Sequence, residues 1–402
     1  TAVATGAVQA TVDARAAGAT AAVSLTSTSN DVTTTVILNE ANDTNAVTLD
    51  VTAGQDITLS AVTINGGGAG SAVTATAARE LTTGDAIDAS LVVGGADISL
   101  EATSNDINLD DTLTSVGTVA AGAAGDITLT AGQSILGAKD LDAGDIGAGG
   151  KVAITTGALG SSAIGNIDAD SVTIGAGNDV SITSVDATVV VVTGAGNVGL
   201  GNVKSYNVSA ANATGAVTAV LIGNAGNATG EFTSGSGNDV LTLNDAAVAY
   251  TASTGAGIDN LTVTAAAAST VNLGEGNDIA AINSTTDTRV TINGDAGVDT
   301  LSVVAAADND VFNGGAGNDK VIFAGAIAAN GFTVDGGADN DTVTLAAADY
   351  TADTAFELKN IEVVDIAAGN ATLSSESIDN DSSFELIGGN SLEIAVASGD
   401  TM

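Results

Sequence analysis

One phrase recurs along this chain and limits what it can fold into: a turn rich in Gly or Asn, then Asp, then apolar and polar residues in alternation. From about residue 235 the phrase becomes regular, with Asp239, Asp259, Asp278, Asp299, Asp319 and Asp341 at steps of 20, 19, 21, 20 and 22 residues. A near-constant period of this length marks a solenoid with one coil per repeat. Each period has room for two short strands. Between Asp259 and Asp278 these are Leu261-Thr262-Val263 and Thr270-Val271-Asn272-Leu273. Alternation with period two gives each strand one buried face and one face of Thr or Ser. The expected fold class is all-β, a parallel β-solenoid of the β-helix or calcium β-roll kind, with about 20 residues per coil in the second half.

The first half carries looser copies of the phrase. They are Gln55-Asp56-Ile57-Thr58-Leu59, Ala96-Asp97-Ile98-Ser99-Leu100, Asn105-Asp106-Ile107-Asn108-Leu109, Gly125-Asp126-Ile127-Thr128-Leu129 and Asn178-Asp179-Val180-Ser181-Ile182. Helical signals are almost absent, since runs such as Ala265 to Ala268 are too short. Every aromatic residue lies at or beyond Tyr206, which supports a boundary near the middle. The expected organisation is a strand-rich cap or assembly segment at 1–44, a β-helix-like solenoid at 45–230, the regular acidic-turn roll at 231–348 and capping strands at 349–402. Within the last segment, Phe356 to Ile366 reads as one longer strand pair.

Composition removes much chemistry. The chain of 402 residues has no His, Cys, Pro or Trp, which leaves no His base, no thiolate and no ordinary zinc or iron site. It carries 48 acidic against 8 basic residues, a formal charge of -40. That balance argues against nucleic acid, whose phosphates need Lys and Arg, and against docking on an anionic bilayer. It also implies strong self-repulsion unless cations sit in the fold. The apolar content of 45% is mostly Ala and Val, and aromatics are only 2%, which suits a thin core between closely stacked strand layers. No apolar run is long enough to span a membrane as a helix. No basic and apolar leader opens the sequence, so an export signal is expected to be removed or to lie elsewhere.

The motif that carries chemistry is Gly-x-Gly-Asn-Asp. It stands as Gly235-Ser236-Gly237-Asn238-Asp239, Gly274-Glu275-Gly276-Asn277-Asp278 and Gly315-Ala316-Gly317-Asn318-Asp319. Variants are Gly255-Ala256-Gly257-Ile258-Asp259, Asp295-Ala296-Gly297-Val298-Asp299 and Gly337-Ala338-Asp339-Asn340-Asp341, and an isolated copy ends at Asp179. Calcium takes six to eight oxygens at about 2.3–2.6 Å. Glycines let a turn aim carbonyls inward, Asp adds charge, and stacking would set one ion between successive coils. The same turns also occur without metal. Six of them in register favour the ion, whereas Asp56, Asp97, Asp106 and Asp126 lack the second glycine and read as solvated turn residues.

At this point the chain resembles the RTX family, whose nonapeptide Gly-Gly-x-Gly-x-Asp-x-apolar-x builds a calcium-binding parallel β-roll. The best match is Gly314-Gly315-Ala316-Gly317-Asn318-Asp319-Lys320-Val321-Ile322, and the resemblance covers roughly 231–348. It implies that the six Asp are carboxylate ligands of Ca2+. Asn238, Asn277, Asn318, Asn340, Asp295, Asp339 and the turn residues Gly235, Gly237, Gly274, Gly276, Gly297, Gly315 and Gly317 would complete the sites, with Asp179 as an outlying one. Family repeats follow every nine residues and load both edges. Here the clean turn recurs about every twenty, so one edge is expected to be regularly loaded, while the opposite turn, for instance Asp308-Asn309-Asp310, is irregular. Gly125-Asp126-Ile127-Thr128-Leu129-Thr130-Ala131-Gly132 is similar to repeats of filamentous-haemagglutinin-type β-helices. The whole chain also resembles RTX-bearing, Caulobacter-like bacterial surface-layer proteins, through its Ala/Thr/Gly/Asn bias and the phrase Phe356-Glu357 to Glu362.

These resemblances imply a secreted, cell-surface structural protein, not an enzyme, that assembles with itself into a surface layer or extracellular filament. The alternative is the stalk of a large adhesin serving attachment or biofilm, with cell-surface polysaccharide as a further partner. An enzyme reading would need acid–base groups gathered in a groove, and eight scattered basic residues do not suggest one.

Overall fold

The computed structural model describes the chain except for residues 17–20, 41–44, 66, 67, 69, 90–95, 116–123, 145–148, 195, 224–227, 284–288, 306–308, 326–330, 352–354, 368, 379–383, 389, 390 and 396–402. The chain is all-β, a parallel β-solenoid with about 22 residues per turn. The described residues hold a single helical element, the short 3-10 turn Ser375–Ser377, and none of them forms a helix able to cross a membrane. Two compact units are present, Thr1–Ala213 and Thr214–Met402.

In the first unit most coils have three strand segments. Asp97–Ala102, Ile107–Leu109 and Leu113–Thr114 make one coil. Ile98 stacks on Val73 and Ile127, Ile107 on Leu81 and Ile135, and Leu113 on Ile87 and Leu141. Each of these inward positions is Leu, Ile or Val with almost no exposure. Burying such a side chain contributes about 1.5–3 kcal/mol, and the outward Thr and Ser between them keep the strand soluble. The coil is not constant in length. A hydrogen bond from one coil to the next spans 28 or 29 residues near Asp97 and Asp106 but 18 residues at Asp179. There the strands Ser162–Asp168 and Ser171–Gly175 both stack on the long strand Val180–Val192, which carries all three columns in a shorter coil: Val180 lies on Ser162, Val185 on Ile167 and Val190 on Val172.

The described strands of the segment 1–44 take part in the same stacking. Val8–Ala16 pairs in parallel with Val32–Glu40, which pairs in turn with Ile57–Asn65.

The second unit is a two-sided roll. One side stacks Val240–Asp245, Asn260–Ala266, Ile279–Asn283, Thr300–Ala305, Lys320–Phe323, Thr342–Leu345 and Val363–Ile366. The other stacks Ala249–Ser253, Ser269–Glu275, Val290–Ala296, Val311–Ala316, Thr333–Ala338 and Glu357–Lys359. Phe356 to Ile366 therefore does not form a strand pair. Its two strands lie on opposite sides of one more coil and pair with the coil before it. The core widens here to hold aromatics: Phe323 meets Phe332, Phe356 and Tyr350 edge-on at centroid distances of 5.4, 5.5 and 6.1 Å. Such pairs add to plain area burial.

Candidate metal centre

The turn that precedes each strand of the first side of the roll positions the site. In the five turns before Asp259, Asp278, Asp299, Asp319 and Asp341 the residues four and two places before Asp have left-handed backbone, as in Gly274 and Gly276 at φ of +103° and +148° and Gly315 and Gly317 at +110° and +126°. Glycine adopts such angles without steric cost. It is also needed for stacking, because a Cβ on Gly276 would stand 1.5 Å from the Gly257 carbonyl oxygen of the coil before. Asp295 and Asp339 take the same role as strained L-residues, at φ of +70° and +86°.

Strand parity then decides where the Asp goes. Val240 is exposed and Leu241 is buried, so Asp239, one residue before Val240, faces inward with Leu241. The same holds along the roll. Asp239, Asp259, Asp278, Asp299, Asp319 and Asp341 are 0–3% exposed. Each carboxylate reaches back one coil. Oδ1 of Asp259, Asp278, Asp299, Asp319 and Asp341 accepts the backbone N–H of the preceding Asp at 2.7–2.8 Å. The ladder begins with Val217 N–H on Asp239 Oδ1 at 2.7 Å and ends with Asp341 N–H on Glu362 Oε2 at 2.9 Å. In all six Asp the other oxygen, Oδ2, is buried and accepts no hydrogen bond.

Burial dominates their electrostatics. Desolvation pushes the carboxyl of Asp299 up to about 7 and those of Asp239, Asp278 and Asp341 up to about 6, and it raises Asp259 and Asp319 as well. Backbone N–H donors pull each back, and neighbouring carboxylates such as Asp295 beside Asp278 and Asp299 add to the rise. The hydroxyls of Ser234 and Thr254 stand beside Asp239 and Asp259. Their protons are committed elsewhere, Ser234 Oγ donating to Thr254 O at 3.0 Å and Thr254 Oγ1 to Leu273 O at 2.8 Å, so Oδ2 stays without a donor.

The remaining candidates fall outside this inner column. Asn238, Asn277, Asn318 and Asn340 are exposed. Oδ1 of the first three accepts the N–H of Ile258, Val298 and Asn340 in the next turn at 2.8–3.0 Å. Asp295 and Asp339 are exposed on the turn. The glycines Gly235, Gly237, Gly274, Gly276, Gly297, Gly315 and Gly317 form the turn backbone. The carbonyls of Gly237, Gly276 and Gly297 pack against the glycines of the following coil. Asp179 is half-exposed in the first unit, where its Oδ1 accepts from Asn197 N and Nδ2 at 2.8 and 3.2 Å. Of the opposite turn, Asp308 lies outside the described residues, while Asp310 is buried and accepts Val290 N–H at 2.7 Å.

Sequence reasoning missed three participants. Glu362 stands 21 residues past Asp341, on the period, and a search for any carboxylate at that step would have found it. Ser234 and Thr254 lie five places before their Asp, where the best-matching copy has Gly314.

The donor set suits a hard cation. Buried orphan carboxylate oxygens and carbonyls are oxygen ligands, and no softer donor is present. Among the described residues no three His, Cys, Asp or Glu side chains converge on one point. An ion here would rest on one inner carboxylate per coil with backbone carbonyls, a low-charge site of modest affinity. No protein-family model, curated protein or solved structure matches the chain.

Proposed function

We propose that the chain is a calcium-stabilised structural protein, secreted to the cell surface, whose copies assemble into a surface layer or extracellular filament. The observation that carries this reading is the row of six buried Asp whose Oδ2 atoms have no donor. A buried carboxylate without a counter-charge costs several kcal/mol, so such a row calls for protons or cations. Protons suffice only below about pH 6 at Asp239, Asp278 and Asp341 and below about pH 7 at Asp299. At neutral pH the partner is a cation, and oxygen-only donors with weak charge suit the millimolar calcium of an extracellular medium, at Kd of about 10⁻⁴–10⁻³ M. Binding energy then becomes folding energy, so the chain is loose inside the cell and rigid outside.

The structural role rests on chemistry and fold together. A chain without His or Cys has few means of catalysis, and solenoids offer long, stackable surfaces. The test is circular dichroism with electron microscopy in EGTA and then in about 5–10 mM calcium, a range set by those affinities. Gain of β-structure followed by sheets or fibres supports the reading. Fold and assembly indifferent to calcium would sink it.

A further inference from the structure

The six rungs of the ladder differ at one inward-facing position, five residues before each Asp. That position holds Ser234 and Thr254 in the first two rungs, Leu273 in the third, and Gly294, Gly314 and Gly336 in the last three. In the glycine rungs two acceptors share the space in front of the glycine Cα. Asp299 Oδ2 and Gly314 O lie 2.2 and 2.6 Å from where a Cβ of Gly294 would stand. Asp319 Oδ2 and Gly336 O lie 2.2 and 2.5 Å from that of Gly314. Two facing acceptors with no proton between them need a cation. In the Ser and Thr rungs a hydroxyl stands in this space instead, and it already donates to the second acceptor, Thr254 O or Leu273 O. In the third rung the inward isobutyl group of Leu273 fills it.

The last glycine rung uses a coil without the motif. There Asp341 Oδ2 and Asn360 O lie 2.5 and 2.3 Å from the Cβ position of Gly336. Asp335 pairs with Lys359, a step of 24, whereas Thr342 pairs with Val363, a step of 21. The turn of this coil is thus three residues shorter. Asn360 takes the tight angle at φ +49°, and Glu362 closes the rung on the Asp341 N–H.

Resting on the calcium reading above, we propose that the ladder is mixed: divalent cations enter only the three rungs of Asp299, Asp319 and Asp341, the last completed by Asn360 and Glu362, while the side chains of Ser234, Thr254 and Leu273 occupy the ion's place in the rungs of Asp239, Asp259 and Asp278 and keep it out. The residue five places before Asp is the selector. The metal array is therefore shorter than the repeat at one end and reaches one coil past it at the other.

Equilibrium dialysis of the full chain against calcium, with ions per chain counted by atomic spectroscopy, tests this. Asp299→Asn, Asp319→Asn and Asp341→Asn are each expected to lose a single calcium equivalent, and Asp239→Asn and Asp259→Asn none. Thr254→Gly removes a side chain rather than adding one, so it guards against simple misfolding, and it is expected to gain a single equivalent. Equal losses at all five Asp, or no gain with Thr254→Gly, would overturn the mixed ladder and leave the calcium reading standing. A wild-type chain that binds no calcium would remove both.

Discussion

The two units use the same residue in the same kind of turn with opposite results. In the first, Asp56, Asp97, Asp106, Asp126 and Asp179 come directly before a buried Ile or Val, so parity sends the Asp outward. Asp97 Oδ1 accepts the N–H of Asp126 in the following coil at 3.0 Å, and Asp126 accepts that of Lys151 at 2.8 Å. In the second, Asp sits one residue further from the first buried apolar position. The carboxylate turns inward, loses water and accepts from the preceding coil. A shift of one residue in a period-two strand exchanges its faces. It converts a solvated turn acceptor into a buried group with an unanswered oxygen. The same shift explains why Val240 and Ile279, apolar and next to Asp, are exposed while Leu241 and Ala280 are buried.

If that difference governs stability, calcium should separate the units. At about 10 mM ion and a Kd of about 1 mM, each filled site contributes about 1.4 kcal/mol. Several sites together exceed the effect of any single substitution below. Hydrogen exchange followed by region is the direct measure. Chelation is expected to speed exchange across 239–362 and leave 1–213 unchanged. Equal acceleration in both units would break the comparison.

Acidity is expected to act on the same unit, with a smaller effect and the opposite sense in chelator. Burial raises all six inner carboxyls from an ordinary value of 3.8, those of Asp239, Asp278 and Asp341 to about 6 and that of Asp299 to about 7. A group raised on folding adds stability that is complete below its unfolded value and lost as pH climbs through its folded one. Without metal, the second unit should therefore weaken between about pH 4 and pH 7 and then level off. With saturating calcium the trend reverses, because the ion needs the deprotonated form. In the first unit the Arg79 guanidinium holds the Asp56 carboxyl below its ordinary value, so there acid is expected to weaken the fold, the opposite sense to the metal-free second unit. Thermal unfolding across pH, with and without EGTA, reads both.

Much of this was legible before the structure. The period near twenty predicts one coil per repeat, and the phrase Asp-Val-Leu-Thr-Leu at Asp239 already places Asp and Leu241 on one face. The apolar Val240 obscures that parity, because Val240 and Leu241 are both residues that can open a buried face. The Asn beside four of the six Asp shares the motif and so groups with the ligands, yet adjacent residues in an extended chain point to opposite sides. Glu362 was hidden by its longer side chain and by a turn lacking glycine. The coil of 28 or 29 residues in the first unit has no regular motif to betray it, because its third side consists of two-residue strands such as Leu113–Thr114.

The finest division between the units comes from single side chains. Asp299→Ala removes the acceptor of the buried Asp278 N–H, which costs about 1–3 kcal/mol in either medium. Asp299→Asn keeps that acceptor and replaces the orphan oxygen with an amide that needs no counter-ion. At pH 8 it is expected to stabilise the chain in EGTA, by relieving a desolvated charge, and to destabilise it in calcium, by deleting a ligand. Asp126 is exposed and bonds Lys151 N–H with solvent at hand. Asp126→Asn should therefore change stability by less than about 0.5 kcal/mol with the same sign in both media. A reversal of sign at Asp299 alone ties the orphan oxygen to the cation. The same small effect at both positions would mean that inward and outward Asp are equally content, and that parity decides where the side chain points but not what it needs.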